Sequence, residues 1–199
     1  REDRLIAAYQ PMVDLATGRV VADEALARLR QPDGTIVVAG EFIEAAEGIN
    51  LIHHVDNAIA RQAMGRCAVN LRDGLAQPGM LHFVNLSAQF LARRDLVMAL
   101  LNDAQTYCTT CGVDFGPTKP IVFEITERDL VSNLAMLEDD LKPLIDFGFQ
   151  IALDDFGSGY SSFLYLARLP VKFLKIEGWM VQNLLTDRKV RHIVEGLVD

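Results

Sequence analysis

Five apolar runs in this 199-residue chain carry a polar or charged side chain near their far end, and most of them lead into a segment with helical spacing. Residues 19–29 carry Glu24, 81–87 carry Asn85, 121–127 carry Glu124, 151–155 carry the adjacent pair Asp154 and Asp155, and 171–177 carry Lys175. A sixth run at 9–14, followed by the turn Ala16-Thr17-Gly18, makes a hairpin with residues 19–29. Helical spacing is expected over 51–64, where Ile52, Val55, Ile59 and Ala63 recur, and over 90–108, 132–147 and 188–199; the residues between 65 and 79 read as loop. Strands alternating with helices make one α/β domain. In a TIM-like (β/α)8 barrel the C-terminal ends of all strands converge on one face, whereas an open doubly wound sheet gathers ligands only around its switch point. The number of strands contributing a polar end favours the barrel.

The stretch 151–162 is the most informative of these. Neighbouring side chains on a strand point to opposite faces, so Asp154 and Asp155 share a site only if the strand stops there and the chain turns at Gly157 and Gly159. Two carboxylates held together repel unless a cation or a proton compensates, which points to a divalent metal; a solvated Asp-Asp-Phe-Gly turn is the other reading. Asn85 near a strand end needs a partner, either a backbone group or, through its oxygen, a hard cation. Lys175 among apolar neighbours needs a counter-charge. Glu24 and Arg28 lie on one face of their strand, as a simple ion pair or as two parts of a site.

Oxygen ligands without His or Cys select Mg²⁺ or Mn²⁺ over zinc. Two such ions about 3.5–4 Å apart clamp the attacking and leaving oxygens of an in-line phosphoryl displacement. Lys175 would hold a phosphate oxygen or the water, and Arg28 another phosphate oxygen. The chemistry is phosphodiester hydrolysis.

Composition limits the alternatives. At 50% hydrophobic and 23% charged, the chain buries a real core as one domain. A net charge of −8 argues against duplex nucleic acid as a partner but not against a small phosphate ligand. No apolar run is long enough to cross a bilayer and Arg1-Glu2-Asp3-Arg4 is unlike a secretory signal, so a cytoplasmic domain is expected, with tethering through other segments left open. Three cysteines suit a reducing compartment, and Cys108-Thr109-Thr110-Cys111 lacks the second ligand pair that structural zinc requires.

The ordered motifs Tyr9-Gln10-Pro11, Glu24-Ala25-Leu26 with Arg28, Val84-Asn85-Leu86-Ser87, Glu124-Ile125-Thr126-Glu127, Asp154-Asp155-Phe156-Gly157-Ser158-Gly159-Tyr160-Ser161-Ser162, and Leu169-Pro170-Val171 with Leu174-Lys175-Ile176 resemble those of the EAL-domain cyclic diguanylate phosphodiesterases. The resemblance covers residues 1–199. It implies a barrel whose first strand is antiparallel to the rest, and hydrolysis of cyclic diguanylate (c-di-GMP) to linear pGpG with Mg²⁺ or Mn²⁺. It also implies that Glu24, Asn85, Glu124 and Asp154 bind a first metal and that Asp154 with Asp155 serve a second. Lys175 then orients water or phosphate, Glu127 steadies the loop after Asp155, and Gln10 and Arg28 contact substrate. Members are usually fused to sensory or diguanylate cyclase domains, and that loop is tied to dimerisation, so a homodimer is expected.

Four departures from the family pattern bear on these expectations. Ser158 stands where threonine is usual and Glu177 where aspartate is common, while residues 112–120 form a longer surface loop. Members also continue with two more strands, carrying a Gly-Val-Glu glutamate and a later glutamine, whereas six barrel strands are counted here. A longer natural protein is therefore expected, with weak or absent catalysis in the 199 residues alone. The alternative function is a c-di-GMP receptor or regulatory domain without turnover, and a ligand-free structural barrel is disfavoured by the cost of clustered acids.

Overall fold

A computed structural model describes residues 4–75, 77, 79–132, 134–157 and 163–198. The chain opens with the antiparallel pair β1 (Leu5–Val13) and β2 (Val20–Arg30), to which the three-residue strand β3 (Ile36–Val38) adds on the far side of β2. The sequence pattern did not anticipate β3, because three residues are too few to display a period. After a single 3-10 turn (Ala39–Glu41) come α1 (Ile43–Gly48), α2 (Ile52–Arg72), β4 (Leu81–Asn85), α3 (Ala88–Leu91) and α4 (Arg94–Cys111). They are followed by β5 (Ile121–Thr126), α5 (Glu127–Ser132), α6 (Leu134–Phe147), β6 (Gln150–Phe156), α7 (Phe163–Arg168), β7 (Val171–Ile176), α8 (Gly178–Asn183) and α9 (Arg188–Val198). The sheet order is β1-β2-β4-β5-β6-β7, with every pair from β2–β4 onward parallel. This is the wall of a TIM-like barrel with its first strand reversed, as expected.

Two segments differ from the sequence reading. Helix α2 continues through Gly65 to Arg72, because Ala60, Ala63, Met64, Cys67 and Ala68 keep an i, i+3, i+4 stripe buried past the glycine. The helix expected over 90–108 is two helices, α3 and α4, broken at Ala92 and Arg93.

The period of two explains where the polar strand residues go. Ala22, Phe83, Val122 and Ala152 form a small apolar layer on the inner face of the sheet, with Phe173 and Met12 packed on it. Two positions further along the parallel strands stand Glu24, Asn85, Glu124, Asp154 and Lys175, the next inward layer. On reversed β1 the equivalent step back from Met12 gives Gln10, which pairs with Glu24. Intervening residues face outward, where Val84, Phe123, Ile125 and Leu153 join Ile59, Phe90, Leu100 and Leu141 in the main core. Asp23, also outward, accepts from Arg66 of α2 at 2.8 Å and meets His82 Nδ1 at 2.7 Å. Burial would raise the Asp23 carboxyl, but His82 and Arg66 outweigh it and hold it below the usual range.

The segment 112–120 is more than a surface loop. Lys119 N–H donates to the Gly148 carbonyl at 2.8 Å, and a Cβ on Gly148 would lie 2.2 Å from the Pro117 carbonyl oxygen. Gly148 also has φ 103°. Gly148→Ala therefore combines backbone strain with a clash against backbone, and is expected to destabilise the domain by about 2 kcal/mol. A shift in urea midpoint measures it; an unchanged midpoint would mean that the 112–120 loop does not seat on Gly148.

Candidate active site

Glu24, Glu124 and Asp154, from three different strands, bring carboxylate oxygens within 4.8 Å of one another. Lys175 from β7 points its ammonium into their midst. Its Nζ donates to Asp154 Oδ2 at 2.7 Å, Glu124 Oε2 at 2.9 Å and Glu24 Oε2 at 3.2 Å. This is the counter-charge that a half-buried lysine requires. Burial pulls its pKa down, but Glu124 and Asp154 outweigh burial and leave it above the ordinary value. Three carboxylates against one ammonium leave two negative charges uncompensated if all are ionised. Glu124 feels this most. It is 1% exposed, and burial, reinforced by Glu24 and Asp154 against the pull of Lys175, pushes its carboxyl up to about 8. Among the described residues its Oε1 has no hydrogen-bond partner. An orphaned buried oxygen amid surplus negative charge, in a set of hard donors, fits a divalent cation.

Asn85 joins through Nδ2, which donates to Glu24 Oε1 at 3.0 Å. Asp155 is exposed and stands outside the trio, its backbone turned into the left-handed region at φ 54° with its N–H on Asp154 Oδ1 at 2.8 Å. Desolvation, then Asp154 and Glu177, hold its carboxyl above the usual range. Glu127 is the first residue of α5 and is fully buried; its Oε2 accepts from Gly157 N–H at 3.2 Å. Residues 158–162 of the motif, Gly159 among them, lie outside the described residues. Arg28 Nη1 donates to the Ala27 carbonyl at 2.9 Å, and among the described residues no ion pair joins it to Glu24. Gln10 is exposed beside Glu24.

Of these residues Glu24, Asn85, Glu124 and Asp155 line a cleft of about 940 Å³, whose other wall includes Asp56, Ser87, Gln89 and Asp129. Asp56 escaped the sequence reading, although a carboxylate between Val55 and Ile59 on the buried stripe of α2 was its only visible sign. Its Oδ2 accepts from Ser87 N at 3.0 Å and Oγ at 2.5 Å, yet burial still pushes its carboxyl up to about 7. A raised folded pKa means that the native state holds this proton after the unfolded chain has released it. Stability is therefore full below about pH 4 and falls as pH rises through about 7, by on the order of 4 kcal/mol. Asp56→Asn, which keeps an acceptor for Ser87, is expected to raise the melting temperature at pH 8 relative to pH 4. Parallel pH profiles for the variant and the parent protein would show Asp56 to be ionised in the fold.

The three cysteines are free and line a small apolar cavity of about 30 Å³ between α2 and α4, where burial pushes the Cys67 thiol up to about 12. No helix among the described residues is long and apolar enough to cross a membrane.

Comparison with known protein families matches residues 1–199 to the EAL domain. The chain belongs to the EAL-domain family. Among curated relatives, this EAL domain is 33% identical over 199 residues to the cyclic di-GMP phosphodiesterase PdeB of Shewanella oneidensis, covering 100% of the chain and 22% of PdeB. It is 32% identical to the bifunctional diguanylate cyclase/cyclic di-GMP phosphodiesterase MucR of Pseudomonas aeruginosa, covering 98% of the chain and 27% of MucR. The chain thus spans about a quarter of the length of these two relatives. Among solved structures, the PaMucR phosphodiesterase in complex with c-di-GMP superposes with a TM-score of 0.81 at 30% identity, over 98% of this chain and 76% of that one. The FimX EAL domain of Pseudomonas aeruginosa bound to c-di-GMP gives 0.74 at 26% identity, over 98% and 74%.

Proposed function

We propose that this EAL domain hydrolyses c-di-GMP to linear 5′-pGpG, as one part of a longer, homodimeric signalling protein that also carries sensory or diguanylate cyclase domains. The observation that carries the reading is the convergence of Glu24, Glu124 and Asp154 beside a cleft that Glu24 and Glu124 line, with one buried oxygen unsatisfied. The relatives' names and the c-di-GMP-bound neighbours supply the substrate class.

On this reading Glu24, Asn85, Glu124 and Asp154 would hold a first Mg²⁺ or Mn²⁺, and Asp154 with Asp155 a second, Asn85 turning its amide to present Oδ1. Bound there, the cations supply a water of lowered pKa and neutralise charge on the phosphoryl oxygens. Water oxygen forms a bond to phosphorus, the P–O3′ bond breaks, and the products are a 5′-phosphate and a free 3′-hydroxyl. Lys175, held by three carboxylates, offers its ammonium to a phosphoryl oxygen or the attacking water as negative charge grows. Glu127 keeps the backbone after Asp155 in place by accepting from Gly157. Gln10, opposite Glu24, and Arg28, four residues further along β2, contact the dinucleotide.

Incubating the full-length protein with c-di-GMP and Mg²⁺ or Mn²⁺, and separating the products by chromatography, tests the reading. Appearance of pGpG is expected. Tight binding without product would make the domain a receptor.

A further inference from the structure

The two carboxylates that close β6 sit on a backbone with two left-handed positions, Asp155 at φ 54° and Gly157 at φ 103°. A non-glycine residue held at positive φ persists only where its surroundings over-determine it. Polar bonds on two sides do part of this. Gly157 N–H reaches Glu127 at 3.2 Å, and the Phe156 carbonyl accepts from Glu177 N–H at 3.1 Å. The third side is apolar. A Cβ built on Gly157 would lie 2.2 Å from Met180 Sδ and 3.5 Å from Met180 Cγ, so the thioether lies directly over the glycine. Met180 is 3% exposed and belongs to a small core of its own, with Val190 and Val194 of α9 and with Ile176 and Leu184 packed on it. Met180 therefore links the α8–α9 pair to the turn after Asp155.

We infer that Met180 is a positioning residue for the Asp154–Asp155 pair: its sulfur, seated by α8 and α9, caps Gly157 and keeps the turn in the conformation that holds Asp154 in the trio and Asp155 on the wall of the cleft. Misplacing a reacting group by about 1 Å costs on the order of a hundredfold, so losing this cap weakens turnover without removing any group that touches substrate. The kinetic consequence rests on the hydrolytic reading above; the structural one does not.

The test compares Met180→Ala with Val190→Ala in the full-length protein. Both loosen the α8–α9 core, but only the first uncovers Gly157. Amide exchange of the peptide spanning residues 150–157 is expected to quicken about tenfold in Met180→Ala and to stay at the parent rate in Val190→Ala. In the Mn²⁺ assay kcat is expected to fall about tenfold or more in Met180→Ala, with KM within about twofold, while Val190→Ala keeps its kcat at a comparable loss of melting temperature. Met180→Leu, which retains a δ atom over the glycine, is expected to restore both. If Met180→Ala does not fold, Met180→Val, which lacks a δ atom, takes its place. Unchanged exchange in the uncovered variant, or equal losses in both variants, would overturn the inference. A parent protein that makes no pGpG while Met180→Ala still loses protection would remove the hydrolytic reading and leave the positioning role standing.

Discussion

Replacing Glu124 by glutamine is expected to cut kcat/KM for c-di-GMP by more than about a hundredfold while leaving the fold at least as stable at pH 8. Groups that merely orient a metal ligand cost about 10- to 100-fold when removed, and a ligand itself lies above that range. The stability half of the expectation comes from burial. Glu124 is buried deeply enough to push its carboxyl up to about 8, so near neutrality the fold already tolerates it better without its charge. Glutamine has the same shape and keeps an oxygen for Lys175 Nζ, now 2.9 Å from Glu124 Oε2. It lacks the charge with which the orphaned Oε1 would hold a cation. The measurement is the rate of pGpG formation alongside a thermal melt. Turnover within about tenfold of the parent, at an undiminished melting temperature, would remove Glu124 from the metal set. A melting temperature that fell with the activity would instead point to a structural role.

Glu124 also illustrates what a sequence can reveal about such a site. The sequence marks it as a polar residue near the end of an apolar strand, and in the fold the side-chain period of two sets it above Val122, as it sets Glu24, Asn85, Asp154 and Lys175 above Ala22, Phe83, Ala152 and Phe173. Sheet geometry permits no other facing once each apolar layer residue is committed inward. What depends on three dimensions was less visible. Asp155 neighbours Asp154 in sequence, yet beyond the left-handed backbone it stands exposed on the wall of the cleft and outside the trio. Glu127 reads as the end of a strand and is in fact the first residue of α5, where its carboxylate reaches Gly157 thirty positions on. Asp56 lies on a helix whose apolar stripe is legible, but only the meeting of α2 with the turn after β4 shows that Ser87 closes over it. Helix ends were equally opaque, because Gly65 reads as a breaker until Met64, Cys67 and Ala68 are seen buried on either side of it.

The reverse perturbation, removal of the cation instead of an anion, has the larger expected effect on stability. In Lys175→Met the trio keeps its three carboxylates and loses all three of its contacts with Nζ. Taking one partner from a buried ion cluster costs about 3–5 kcal/mol, because the charges left behind cannot return to water. The Lys175 side chain is 26% exposed and that of Glu124 is 0% exposed, so solvent screens little of this and about 3 kcal/mol is expected in EDTA at pH 8. Two routes recover it. Protonation is one: Glu124 already has a raised pKa and loses the attraction that lowered it, so the deficit belongs to high pH and shrinks as pH falls toward about 5. A divalent cation is the other. If the trio binds Mn²⁺, adding it to the variant replaces the missing positive charge, and the melting temperature should climb further in Lys175→Met than in the parent protein, whose ammonium already offsets part of the repulsion. The variant regains stability in this way without regaining turnover, since no ammonium remains to meet the phosphoryl oxygen. Equal Mn²⁺ shifts in the two proteins would mean that the cation binds elsewhere, and the trio would then be an ion cluster with Lys175 as its one intended partner.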